Sequence, residues 1–132
     1  MTDRQAPAVP SVEERQGRLT LAIAALAALA TYLDTTILFV AFPDITRTFG
    51  DASPSTLSWV INGYTITLAA LLVPAGKLAD RFGHRRAFLT GSTIFTVASM
   101  ACGLAPSVAT LIVARIFQGA GAAILILSLI HI

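Results

Sequence analysis

Asp34 and Arg115 stand inside runs that are otherwise almost wholly apolar, Leu19 to Phe42 and Val108 to Ile132. An ionised side chain at the centre of a bilayer costs roughly 2.5–3.5 kcal/mol, so each of these charges needs a compensating partner. Each is the partner available to the other. A carboxylate and a guanidinium that meet in a membrane can bind and release a proton, because a nearby cation favours the ionised acid and a departing one favours the protonated form. Thr31 and Thr35 share a helical face with Asp34, and Gln118 and Ala122 share one with Arg115, which gives each run a polar stripe. A structural ion pair that only fixes helix register would use the same residues.

The elements that must position these groups follow from composition. Hydrophobic residues make up 55% of the 132-residue chain and charged residues 12%, too little polar side chain to cover a globule in water. The expected fold is therefore an all-α integral membrane protein with four transmembrane helices, at about 19–42, 57–79, 87–104 and 108–132. The first run, about 24 residues at 1.5 Å each, exceeds a ~30 Å hydrocarbon core. It also continues well past Ala30, and further spans follow, which argues against a cleaved secretory signal. Pro43 is expected to end it, and Ser53-Pro54 reads as an N-cap with proline in the first helical position. Thr90, Ser92, Thr93, Thr96 and Ser99 weaken the third span but suit close helix contact, and Ala105-Pro106-Ser107 is a minimal turn. Residues 1–18, rich in proline and charge, read as a disordered cytoplasmic tail.

Depth counting connects the two charges. Asp34 lies 15 residues beyond Leu19, about 22 Å from the inner side, and Arg115 lies about 12 Å below Ser107, roughly 18 Å from the inner face of a ~30 Å core. The depths agree within the error of helix boundaries, so the two groups are expected to face one another across the first and fourth helices. Orientation follows from the basic residues: Arg4, Arg15, Arg18, Lys77, Arg81, Arg85 and Arg86 fall on one side and Arg47 alone on the other, which places the N-terminus in the cytoplasm.

Other chemistries are excluded. No basic stripe interleaved with aromatics points to nucleic acid. Cys102, the single cysteine, builds neither a disulfide nor a thiol metal site and reads as a small packing residue. No His, Cys or carboxylate cluster suits a metal, and no serine has an accompanying base, so neither a cofactor nor an enzyme is expected.

The densest run of charge, Gly76 to Arg86, reads as a loop between the second and third spans. Gly76 would leave room for a neighbouring backbone, Gly83 would permit a positive φ, and Asp80 could cap a helix or pair with Arg85 or Arg86. Its pattern Gly76-x-Leu78-Ala79-Asp80-Arg81-x-Gly83-x-Arg85-Arg86 resembles the signature between helices two and three of the major facilitator superfamily. Leu33-Asp34-x-Thr36-Ile37, ending in Ala41-Phe42-Pro43, resembles the first-helix motif of its fourteen-span drug:proton antiporters, with Phe39 where asparagine is usual. Arg115-x-x-Gln118-Gly119-x-Gly121-x-Ala123 resembles the fourth-helix motif, and Trp59-Val60, Tyr64, Leu68 and Pro74 fit the second helix.

The resemblance implies the first part of the N-terminal six-helix half of a transporter in an inner or plasma membrane, with protons and a small hydrophobic or cationic molecule as partners. It implies that Asp34, Arg115 and Gln118 are the proton-coupling and cavity residues, with Arg115 taking part in proton transfer and Asp34 tuning affinity or coupling, that Gly119 and Gly121 pack helices, and that Gly76, Asp80, Arg81, Gly83, Arg85 and Arg86 gate against a second half. That half is expected to be missing from this chain, making it a fragment that does not transport alone. Leu127 to Ile132 departs from the family and resembles the in-frame translation of a sequencing adaptor, so His131 carries no functional weight. Two other readings use the same residues: a self-sufficient four-helix oligomeric exporter, and a membrane interaction protein that packs through its small-residue faces.

Overall fold

The computed structural model describes residues 11–130, all but a few of them in four helices: α1 (Val12–Thr48), α2 (Pro54–Phe82), α3 (His84–Gly103) and α4 (Val108–Ile130). Residues 1–10, His131 and Ile132 lie outside the described residues. By length and apolarity α1, α2 and α4 can each cross a membrane. α3 is the shortest at 20 residues, and its hydroxylated side chains keep it less apolar.

α1 is longer at both ends than its apolar run, which corrects the expected boundaries. It starts at Val12 rather than Leu19 because Ser11 and Glu14 form a capping box: Ser11 Oγ accepts from the Glu14 amide at 3.3 Å, and the Glu14 carboxylate accepts from the Ser11 amide at 3.2 Å. Residues 12–18 are thus helical, not part of a tail. Nor does Pro43 end the helix, which runs on to Thr48. Proline removes one amide donor and crowds the carbonyl four residues before it, a cost that membrane helices tolerate. At 37 residues α1 is about 55 Å long, well beyond a hydrocarbon core. α2 begins as expected, with Ser53 Oγ accepting from the Thr56 amide at 3.2 Å and Pro54 in the first turn.

The charged run is not a loop. Lys77 to Phe82 finish α2, His84 opens α3, and Gly83 alone joins them. Gly83 has φ +89° and ψ 136°, a region essentially closed to residues with a Cβ, and nothing lies within 4 Å of the place where one would stand. A Gly83→Ala substitution is therefore expected to destabilise the helical hairpin through the backbone alone, by about 1–3 kcal/mol. Denaturant unfolding in detergent micelles measures this.

α4 is the centre of the bundle. Its buried residues outnumber those of any other helix and pack between α2 and α3, with Tyr64, Phe95, Ala122 and Leu125 in one apolar cluster. Gly119 and Gly121 make that approach possible. A Cβ on Gly119 would stand 2.6 Å from the Tyr64 carbonyl oxygen of α2, and one on Gly121 would stand 2.6 Å from the Phe95 amide nitrogen of α3. Gly76 does not serve this purpose, since its nearest neighbour would be a Leu127 methyl at 3.5 Å, an ordinary contact, and no backbone comes near it. α4 continues without a break through residues 127–130, with Ser128 buried and donating to the Ile124 carbonyl at 2.8 Å. α1 is held more lightly, burying only Thr31 and Leu38, the latter against Val60 and Leu111.

Candidate functional site

All four helices contribute to one polar cluster, nearer the end of the bundle where α3 turns into α4. Arg115, on α4, reaches it because Ala114, Gln118, Gly119 and Ala122 on the same stripe seat that face against α2 and α3. Its side chain is 3% exposed and Asp34 is 16% exposed, so the charges are withdrawn from solvent and must satisfy one another. Arg115 Nη1 donates to Asp34 Oδ2 at 2.8 Å. The same nitrogen donates to Gln118 Oε1 at 2.8 Å, and Nε donates to the Val60 carbonyl of α2 at 3.2 Å. The guanidinium carbon also lies 4.4 Å from the centre of the Tyr64 ring, within cation–π range.

Gln118 ties both charges together. Its Nε2 donates to Asp34 Oδ1 at 2.6 Å and to Ser99 Oγ at 3.0 Å, while Cys102 Sγ donates to Oε1 at 3.5 Å. Chemistry dictates this orientation of the amide: Arg115 can only donate and an ionised Asp34 can only accept, so the carbonyl turns to one and the NH2 to the other. On α1, Thr31 and Thr35 spend their hydroxyls on the backbone carbonyls of Ala28 and Thr31. They flank the acid without bonding to it.

The structure brings Asp34, Arg115 and Gln118 into direct contact, as depth counting anticipates for the two charges. Four partners are absent from that reading. Ser99 and Cys102 figure in it only as small packing residues, yet both hydrogen-bond to Gln118, Cys102 through its thiol. Their i, i+3 spacing on one face of α3 was the available signal. Tyr64 and the Val60 carbonyl, one helical turn apart, supply the ring and the acceptor on α2.

The remaining expected site residues lie elsewhere. Asp80, Arg81, Gly83, Arg85 and Arg86 cluster where α2 meets α3, at the end of the bundle shared by the start of α1 and the end of α4. Asp80 Oδ1 lies 3.7 Å from His84 Nε2, at helical i, i+4 spacing, in place of the expected pairing with Arg85 or Arg86. Arg85 and Arg86 are exposed, and His84 is half-buried. Arg81 lies over the Phe82 ring at 5.7 Å.

Fold and site together define a polytopic all-α membrane protein built around a buried acid–base pair. Residues 24–131 match the Major Facilitator Superfamily, and the chain belongs to that family. It is similar to the cephamycin export protein CmcT of Amycolatopsis lactamdurans, 48% identical over 105 residues that cover 80% of this chain and 21% of that protein. It is also similar to the multidrug resistance protein Stp of Mycobacterium tuberculosis, at 45% identity over 80% of this chain and 19% of that protein. The lincomycin resistance protein of Streptomyces lincolnensis is 38% identical over 86% of this chain and 24% of its own length. The chain thus spans about a fifth of the length of the curated relatives it matches.

Proposed function

We propose that this chain is the N-terminal part of a proton-coupled exporter of hydrophobic or cationic small molecules, with its N-terminus in the cytoplasm of a cell whose plasma membrane it crosses. The observation that carries this reading is the buried Asp34–Arg115–Gln118 cluster, an expensive arrangement in a membrane that places an acid where a proton can be taken up and released. The names of the relatives, an exporter and two resistance proteins, support export of small molecules such as antibiotics. Asp34 is the proton carrier. Arg115 and Gln118 are its hydrogen-bond partners from α4. Asp80, Arg81, Arg85 and Arg86, exposed at one end of the bundle, suit contact with a further part of a full-length transporter, where they would close the cytoplasmic side. The segregation of basic residues to that end supports its cytoplasmic placement.

The test is Asp34→Asn in the full-length protein reconstituted into proteoliposomes. The variant is expected to lose proton-driven drug uptake, by about a hundredfold or more, while still binding drug. Full coupling in the variant sinks the proposal.

A further inference from the structure

Gln118 is fully buried, and its carboxamide has no bonding capacity to spare. Such a group offers two hydrogens and one oxygen with two lone pairs. Asp34 Oδ1 takes one hydrogen at 2.6 Å and Ser99 Oγ the other at 3.0 Å, while Oε1 receives Arg115 Nη1 at 2.8 Å and the Cys102 thiol at 3.5 Å. The two charged residues account for one contact on each side. The second on each side comes from α3, which brings no charge to the cluster. Ser99 differs from its neighbours in this. Thr90 and Thr93, on the same helix, turn their hydroxyls to the carbonyls of Arg86 and Leu89 four residues back, whereas the Ser99 oxygen is turned across to α4.

We propose that Ser99 is a positioning residue for Asp34: it holds one hydrogen of the Gln118 carboxamide, and the planar geometry of that group then aims the other at the acid. The anchor does not depend on the acid itself. α3 and α4 meet backbone to backbone, since a Cβ on Gly121 would stand 2.6 Å from the Phe95 amide nitrogen and one on Gly91 would stand 2.9 Å from that of Leu125. Ser99 lies one helical turn beyond Phe95 and Gln118 one turn before Ala122, and two helices joined by a short turn run antiparallel, so the pair come level. No further part of a full-length transporter is needed to form the contact. Asp34 arrives on a different helix, and its oxygens change character with protonation, from acceptors only to an acceptor and an O–H donor. The Ser99 oxygen accepts in either state. Cys102 contributes less, because Oε1 retains Arg115 when the thiol is removed. That Asp34 carries a proton rests on the reading given under Proposed function, whereas the hold of Ser99 on Gln118 does not.

Hydrogen exchange at the Gln118 side-chain amide measures this hold in the full-length protein in lipid nanodiscs, with isotope-labelled glutamine and the signal assigned by its loss in Gln118→Met. Ser99→Ala removes the acceptor without adding bulk and is expected to speed exchange by about tenfold or more, the order set by leaving a buried donor unpaired. Ser99→Thr returns the hydroxyl, with its methyl free to enter the cavity that Ser99 lines, and is expected to restore slow exchange. In proteoliposomes Ser99→Ala is expected to lower the maximal rate of proton-driven uptake about tenfold with the KM for drug unchanged, and Ser99→Thr to recover it. Unchanged exchange in Ser99→Ala, no recovery in Ser99→Thr, or an equal rise at the backbone amides of α3 would overturn the proposal, the last by making Ser99 a packing residue. Full uptake in Ser99→Ala where Asp34→Asn abolishes it would do the same. If Asp34→Asn stays coupled while Gln118 exchange still responds to Ser99, the proton reading alone fails and the positioning of Asp34 by Ser99 stands.

Discussion

Replacing Arg115 with methionine is expected to lower the unfolding free energy of the helical bundle in detergent micelles by about 3–5 kcal/mol, the cost typical of breaking one side of a buried ion pair. Three losses coincide. Asp34 loses its 2.8 Å donor, the Val60 carbonyl loses the Nε hydrogen, and the Tyr64 ring loses the cation above it. Methionine fills much of the volume, so the effect reads electrostatics and hydrogen bonding more than a cavity. Adding Asp34→Asn to Arg115→Met is expected to recover a substantial part of the loss, since no buried carboxylate is then left uncompensated and Gln118 can still donate to the amide oxygen. The penalty should persist in half-molar salt, because a pair this withdrawn from solvent is screened little. A single-variant cost below about 1 kcal/mol, or one that vanishes in salt, would place the pair among exposed ion pairs and remove the basis for its role.

The second large effect concerns packing. Gly119→Val is expected to cost about 3 kcal/mol, at the upper end for overpacked sites, and to pull α2 away from α4. The added Cβ would meet the Tyr64 carbonyl oxygen at 2.6 Å, its carbon at 3.3 Å and the Thr67 Cβ at 3.2 Å, and two of these three are backbone atoms that cannot rotate aside. Because the same stretch of α2 presents Val60 and Tyr64 to Arg115, the substitution should also loosen the polar cluster. Gly76→Ala is the control. With only a Leu127 methyl in reach at 3.5 Å and helix on both sides, it should be neutral or stabilising by up to about 1 kcal/mol. Equal effects at the two glycines, measured by unfolding under identical detergent conditions, would contradict the packing described here.

These two sites differ in how legible they were. The approach of Asp34 to Arg115 could be anticipated because helix rise is constant and hydropathy sets where each helix enters the membrane, so depth is a one-dimensional count. Helix ends were less legible. Ser11 and Glu14 carry the spacing of a capping box, yet a polar helical turn looks like a polar tail until its reciprocal hydrogen bonds are seen. Pro43 misled in the opposite sense, since the lost hydrogen bond and the crowding of one carbonyl by its ring are local costs that a long apolar helix absorbs. Charge between Gly76 and Arg86 marked the run as polar, but polarity does not distinguish a loop from the solvated ends of two helices. Only the positive φ of Gly83 locates the single residue of the turn.

By itself, the sequence determined that these segments are membrane helices, the depth of their two buried charges, and the family to which they belong, because each is written in local periodicity or in residue types at fixed spacing. The partners of those charges were decided only in three dimensions. Ser99 and Cys102 meet Gln118 across 19 and 16 residues, and Val60 and Tyr64 reach Arg115 from another helix, through contacts set by how each helix is rotated about its own axis. That rotation depends on backbones meeting at Gly119 and Gly121, where side-chain volume summed over three helices selects the close approach. No single helix carries that information.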